Sequence, residues 1–146
     1  MKISAGKANQ FISAPPDIVR AILLYGPDTG LVRERDGILT KSIVEDPKDP
    51  FRIADIPAGD LRDDAARLSD EAAAIAFTGG RRVVRIRDAT DTISGPLTDF
   101  CKNPSGDALV VIEAGNLTPR SKIRKAFEEA ECAAAIPCYA DEGRAL

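Results

Sequence analysis

The chain contains no histidine and no tryptophan, a single methionine and only 5% aromatic residues. Without histidine, neither a Ser-His-Asp nor a Cys-His constellation can be built, and the usual proton shuttle near neutral pH is missing. Most hydrolytic mechanisms thereby lose their base. Cysteine is scarce as well. Cys101, Cys132 and Cys138 show no C-x-x-C spacing, have no histidine to complete a zinc set and are odd in number, which excludes a disulfide framework. They read as buried, reduced thiols. No run approaches the ~18 apolar residues that cross a bilayer, so no membrane partner is expected. The opening Met1-Lys2-Ile3-Ser4 is not followed by the long apolar stretch of a signal peptide, and a cytoplasmic location is the expectation. An excess of one sign of charge is also lacking: 20 basic against 23 acidic residues leave a formal charge of −3. That argues against a generally basic, nucleic-acid-coating surface, so contact with DNA is expected to be indirect at most.

What is present is ordinary for one globular domain: 146 residues, 44% hydrophobic and 29% charged. A chain of this size buries roughly two-thirds of its unfolded surface without metal or disulfide support. Abundant Ala, Val, Ile and Leu favour α/β layering.

The most informative stretch is Leu23-Leu24-Tyr25-Gly26-Pro27-Asp28-Thr29-Gly30-Leu31-Val32-Arg33, an apolar strand running into a glycine-bracketed turn and then a helix. It has the outline of a phosphate loop over Gly26, Pro27, Asp28, Thr29 and Gly30 without the chemistry. A working Walker loop reads G-x-x-x-x-G-K-[ST], with the lysine on the β- and γ-phosphates and the hydroxyl on magnesium. Counting from Gly26, the second glycine is Leu31, the lysine is Val32 and the hydroxyl residue is Arg33. Asp28 adds a negative charge where an anion would have to be cradled. The expectation is a nucleotide-hydrolase scaffold with degenerate Walker motifs and no cofactor.

Along the chain, Pro15-Pro16 leads into a first strand over Ala21 to Tyr25, apolar on both faces as parallel strands are when helices cover each side. A helix from Thr29 to about Val44 follows, with Leu31, Ile38 and Ser42 on one face and Val32, Leu39 and Ile43 beside them. Phe51 to Ile56 reads as a second strand closed by a Pro57-Ala58-Gly59 turn. From about Asp64, Ala65, Leu68, Ala72 and Ile75 repeat at helical spacing until Gly79-Gly80. Arg82 to Arg87 reads as the third strand, and Ile93, Leu97, Phe100 and Cys101 as the core stripe of the next helix. Ala108 to Ile112 is the clearest buried strand. Thr118-Pro119 supplies an N-cap and N1 proline for a helix burying Ile123, Ala126, Phe127 and Ala130, and Ala134 to Tyr139 is a last strand. Five strands alternating with helices over long connections specify a parallel sheet wrapped on both faces. The tail Asp141 to Leu146 carries no packing pattern, which reads as a boundary inside a longer protein.

Several segments together, Leu23 to Arg35, Asp49-Pro50-Phe51-Arg52, Asp70 to Arg85 and Val110 to Leu117, resemble the delta subunit of the bacterial DNA polymerase III clamp loader. The resemblance implies an AAA+-like module over residues 1–140 with strand order 5-1-4-3-2, followed in the complete subunit by a helical lid and a collar absent from this chain. It implies a subunit that does not hydrolyse ATP and opens the sliding clamp, the beta subunit, by inserting a hydrophobic wedge. By position the wedge falls on Ala76, Phe77 and Thr78, where many members carry two bulky apolar residues in place of Phe77 and Thr78. Other loader subunits would be met through the absent domains. No intrinsic catalysis is implied for this domain, although the assembly belongs to a DNA-directed DNA polymerase, a nucleotidyltransferase.

Other readings of the same residues stay open. Phe77, beside two glycines, either projects from the helix tip or folds back on Ile75 or Val83. Arg81, Arg82, Arg85 and Arg87 either meet an acidic partner surface or DNA, or form a solvated edge balanced by Asp88 and Asp91. Glu113-Ala114-Gly115-Asn116 occupies the place where active AAA+ proteins carry a polar sensor residue, or Asn116 caps a turn. The third strand ends in Arg87-Asp88 where a Walker-B acidic pair would stand. A degenerate P-loop ATPase or nucleotide-dependent enzyme would draw on Asp28, Glu34 or Asp88. A receiver-like signalling domain would need Asp55 and Asp88 as a cluster.

Overall fold

A computed structural model describes residues 1–76 and 79–139. Its five parallel strands are β1 (Ala21–Tyr25), β2 (Ile53–Pro57), β3 (Val83–Ala89), β4 (Leu109–Ala114) and β5 (Ala133–Pro137), in the order β2-β3-β4-β1-β5. The helices are α1 (Ala8–Ser13), α2 (Thr29–Ile43), α3 (Ala58–Asp63), α4 (Ala66–Ala73), α5 (Ser94–Lys102) and α6 (Lys122–Glu129). This is the expected order 5-1-4-3-2.

Period-two alternation divides the strands' side chains between two cores. Leu23 and Tyr25 of β1 pack with Ile86, Val110, Ile112 and α3 to α6. Ile22 and Leu24 face the other way, toward Val111, Ile136, α1 and α2. Every residue of β1, β4 and β5 is buried, which is why these strands read as unbroken apolar runs. The outer edge of β5 is covered by the start of the chain: Ile3 N–H donates to Ala135 O and Ala135 N–H to Met1 O. That pairing blunts an edge otherwise open to foreign strands.

Several boundaries depart from the sequence reading, each for a visible reason. Asp49 accepts N–H groups from Phe51, Arg52 and Ile53 in a tight turn, so β2 begins at Ile53 and Phe51 is exposed. Pro57 is the N-cap of α3 rather than part of a turn. α4 stops at Ala73, well before Gly79-Gly80: the Glu71 carbonyl, which a continuing helix would offer to Ile75, instead accepts from the Arg82 guanidinium at 2.6 Å and from Ala74 N–H. Ile75 is consequently 91% exposed and not a core residue. The core stripe Ile93, Leu97, Phe100 and Cys101 is buried as expected. Cys132 is only half-buried, unlike Cys101 and Cys138, and all three are free thiols.

The N-terminus of α6 is the clearest correction. Its N-cap is Ser121, not Thr118, and Ser121 Oγ donates to Asp91 across the chain. Asp91 also accepts from the N–H groups of Lys122 and Ile123. Burial raises the Asp91 pKa, but these donors outweigh it and hold the carboxyl below its usual range. An ionised carboxylate here satisfies orphan N–H groups at the positive end of the helix. Asp91 therefore does not balance the β3 arginines. Asp91→Ala is expected to lower stability by about 1–2 kcal/mol in urea denaturation, whereas Thr118→Ala stays within about 0.5 kcal/mol; the reverse ranking would restore the Thr118 cap.

Candidate functional site

The degenerate phosphate loop leaves β1 at its carboxyl end, the edge where open α/β sheets bind ligands. Gly26 has φ +143°, and a Cβ there would lie 2.2 Å from Cys138 O. Only glycine fits this crossing. Its N–H donates to Gly115 O at 2.9 Å, beyond β4, and the Asp28 N–H reaches Cys138 O beyond β5. The Asp28 carboxylate caps α2 by accepting from Leu31 N–H at 3.0 Å. Three N–H groups of the turn are thus directed to the protein's own oxygens. Thr29 and Gly30 begin α2, with Val32 buried and Arg33 exposed behind them.

Beside this turn, the ends of β3 and β4 and the inner face of α2 hold a cluster of charges. α2 does not bury Ile38 or Ser42, as its apolar spacing predicted; it buries Arg35 and Asp36 with Leu31, Val32, Leu39 and Thr40. Arg35 donates to Pro137 O at 2.9 Å and to Cys138 Sγ. Asp36 accepts from Thr40 Oγ1 and faces Glu113, the buried carboxylate near the end of β4. Arg33 Nε lies 3.2 Å from Glu113, and Arg87 Nε lies 3.4 Å from Glu113 and 4.0 Å from Asp36.

As bare carboxylates, Asp36 Oδ2 and Glu113 Oε2 are both buried without a donor. A proton between them resolves this. Burial first, and then the Glu113 hydrogen bond and charge, push the Asp36 pKa up from 3.8 to about 7. Burial also raises Glu113, but the hydrogen bond from Asp36 and the charges of Arg33 and Arg87 prevail and keep it ionised. The pair is one negative charge facing two arginines, the arrangement a low-dielectric site tolerates. Of the segment Glu113 to Asn116 that the sequence reading places at a sensor position, the structure brings Glu113 into this cluster and leaves Asn116 exposed; an acid four residues after Leu109 in an otherwise apolar buried run is the signal for it.

The hollow lined by Thr29, Val32, Arg33, Asp88, Glu113, Ala114 and Gly115 is about 110 Å³, below the ~300 Å³ at which ligand pockets begin. Asp88 is exposed at the end of β3 with φ 57°. Asp55 is not near it as a second acid but pairs with Arg85 through two bonds of 2.7 and 3.0 Å. Asp28 caps its helix, and Asn116 is exposed. Among the described residues, no three His, Cys, Asp or Glu side chains cluster as a metal site. Of the wedge, Ala76 is 5% exposed and its carbonyl accepts from Gly79 N–H; Phe77 and Thr78 lie outside the described residues.

The order 5-1-4-3-2, with a glycine turn after the interior strand β1 and helices on both faces, is a parallel α/β fold. No protein-family model matches the chain, and no curated protein does either. Among solved structures it is similar to the Bacillus subtilis DNA clamp loader delta protein, with TM-score 0.70 and 17% identity over 92% of this chain and 42% of that one. A DNA polymerase III gamma subunit-related protein from Thermotoga maritima gives TM-score 0.61 and 15% identity, covering 93% of this chain and 46% of that one. The fold is that of a clamp-loader domain, and the chain spans less than half the length of either neighbour.

The protonated Asp36 sets a pH dependence. Its folded pKa of about 7 exceeds the unfolded 3.8, so the folded state holds the extra proton between these values and stability declines as pH rises through that window. Asp36→Asn, which keeps a donor toward Glu113, is expected to flatten the decline in urea midpoints measured between about pH 5 and pH 8. An unchanged slope would show that Asp36 does not carry the proton.

Proposed function

We propose that this chain is the AAA+-like domain of a clamp-loader subunit of the delta kind, one that binds the sliding clamp during DNA replication without hydrolysing nucleotide. The observation that carries this reading is the self-filled turn: Asp28 takes the α2 N–H that a phosphate would need, and Gly26 and Asp28 N–H groups are bonded to Gly115 and Cys138 carbonyls. A motor subunit keeps such donors for its nucleotide. A subunit that only grips has no use for them. The small hollow beside Glu113 and the absence of the loop lysine point the same way.

On this reading the clamp contact is the wedge at Ala76, Phe77 and Thr78, after the early end of α4. Phe77 is the anchor, and burying an aromatic of its size in a partner pocket contributes about 1.5–3 kcal/mol. The energy for the cycle comes from neighbouring motor subunits, met through domains beyond this chain, and the domain acts by favouring the open form of the ring. DNA is reached only through the clamp. Among the described residues no helix is long and apolar enough to cross a membrane, in keeping with a replication factor of the cytoplasm.

Calorimetric titration with the sliding clamp of the same organism tests this. The expected result is a saturable signal that Phe77→Ala weakens by about 10- to 100-fold, with no heat from ATP. ATP binding without clamp binding would overturn the proposal and return a nucleotide-dependent activity to first place.

A further inference from the structure

Most arginines of this domain have carboxylate partners: Arg85 has Asp55, Arg82 has Glu71, Arg124 has Glu128, Arg67 has Asp60, and Arg33 and Arg87 share Glu113. Of the described arginines for which no carboxylate pair is seen, Arg35 and Arg120 lie elsewhere and three lie at the edge where the parallel strands begin. Arg20 immediately precedes β1, Arg52 precedes β2 and Arg81 lies two residues before β3. Arg52 donates to the carbonyls of Ile43 and Arg81. Arg81 Nε donates to Asp107 O at 2.6 Å. Arg20 has Nε and Nη2 buried with no partner among the described residues.

These groups are close enough to be felt as charges. The Arg81 pKa is lowered, by burial first and by Arg20 second, with Asp107 and Asp17 opposing. Arg20 and Arg81 flank the start of β4, where Val110 N–H donates to Arg20 O and Leu109 N–H to Arg82 O, and like charges gathered there with two buried nitrogens unpartnered are a costly arrangement. The same end of the sheet exposes large apolar side chains. Ile75 is 91% exposed just beyond α4, and Ile18, two residues from Arg20, is 63% exposed. The Gly106-Asp107 turn joins the two features: a Cβ on Gly106 would lie 2.1 Å from Ala72 O and 2.7 Å from Ala73 Cα, while Asp107 holds Arg81.

We infer that this end of the sheet is an interaction surface for a protein that presents carboxylates around an apolar patch, with Arg81 receiving a carboxylate, the charge of Arg20 behind it adding to the attraction, and Ile75 and Ile18 taking the apolar part. Arginine is suited to that role because its planar fork takes a carboxylate in two parallel bonds. A protein fits better than nucleic acid: Asp17 and Asp107 lie among the arginines and repel a continuous phosphate backbone, whereas a discrete carboxylate is accepted between them. Exposed isoleucines gain little from a phosphodiester chain. The inference rests on the proposed function in taking the sliding clamp as that protein, and it enlarges the contact from the wedge to a cationic rim.

The test titrates the clamp into the chain at about 50 and about 300 mM NaCl, a range over which exposed charge pairs are increasingly screened. The variants are Arg20→Gln/Arg81→Gln, the charge reversal Arg81→Glu, Ile75→Ser and Phe77→Ala, each checked for folding by circular dichroism. The expected result is salt-weakened binding by the parent. The double variant should bind about tenfold more weakly at low salt and lose most of the salt dependence, Arg81→Glu more weakly still, and Ile75→Ser about tenfold more weakly. Unchanged affinity and salt slope in the arginine and isoleucine variants, with binding abolished by Phe77→Ala, would overturn this inference and leave the proposed function standing. No clamp binding by the folded parent would overturn both. Retention of a short DNA duplex by the parent but not by the double variant would overturn the protein partner in favour of nucleic acid.

Discussion

The backbone crossing at Gly26 is the constraint on which the carboxyl edge of the sheet depends. Strand β1, between β4 and β5, delivers the chain to a point where no side chain fits, between the carbonyls of Gly115 and Cys138. Cys138 N–H returns a bond of 2.7 Å to Tyr25 O. The ends of β4, β1 and β5 are therefore tied at one place. The turn is narrow because it is bonded on both sides, and its narrowness dictates the rest: α2 must begin within three residues, and its first free N–H groups need an acceptor at once. Asp28 supplies it. A fold that uses this turn elsewhere to hold phosphate here uses it to hold itself.

The charges behind the turn complete the substitution. The polar strand ends and the inner face of α2 must be satisfied within the protein, since buried groups without partners are costly. Asp36 and Glu113 share a proton, and Arg33 and Arg87 hold the remaining negative charge. This network joins α2 to β3 and β4. A nucleotide site exists in two states because its occupant changes; a site filled by covalently attached side chains has one. On the proposed reading, movement of this domain within a loader is then imposed by neighbouring subunits, through differential contacts with them.

How much of this was legible in the sequence follows from what each residue pattern reports. Strands buried on both faces announce themselves as apolar runs, so β1 and β4 were found nearly to the residue. Their order came from the resemblance. Helix faces were read less well where burial is polar. Asp36 and Arg35 enter the core because partners wait on other strands, and a hydrophobic stripe is blind to partners, which is why Ile38 was assigned inward and is 43% exposed. Helix ends failed for the same reason. The true cap of α6 involves Asp91, thirty residues upstream of Ser121, and α4 is ended by Arg82 rather than by the glycines that follow. Local signals such as Thr118-Pro119 and Gly79-Gly80 were sound chemistry overruled by tertiary bonds.

The two edges of one parallel sheet have thus been put to opposite uses. At the carboxyl edge the N–H groups of Gly26, Asp28 and Leu31 are bonded to the protein's own oxygens. At the amino edge three guanidinium groups lack carboxylates and two isoleucines lack cover. A domain under no demand to bind there would be expected to pair those arginines as it pairs Arg82 and Arg85 a few residues away. Buried nitrogens without a partner occur at both edges, on Arg20 at one and on Arg35 and Arg87 at the other. What distinguishes the amino edge is that cations without a carboxylate lie on the same side of the sheet as the exposed Ile75 and Ile18, beside the early end of α4, and that is the physical reason to look for the partner there.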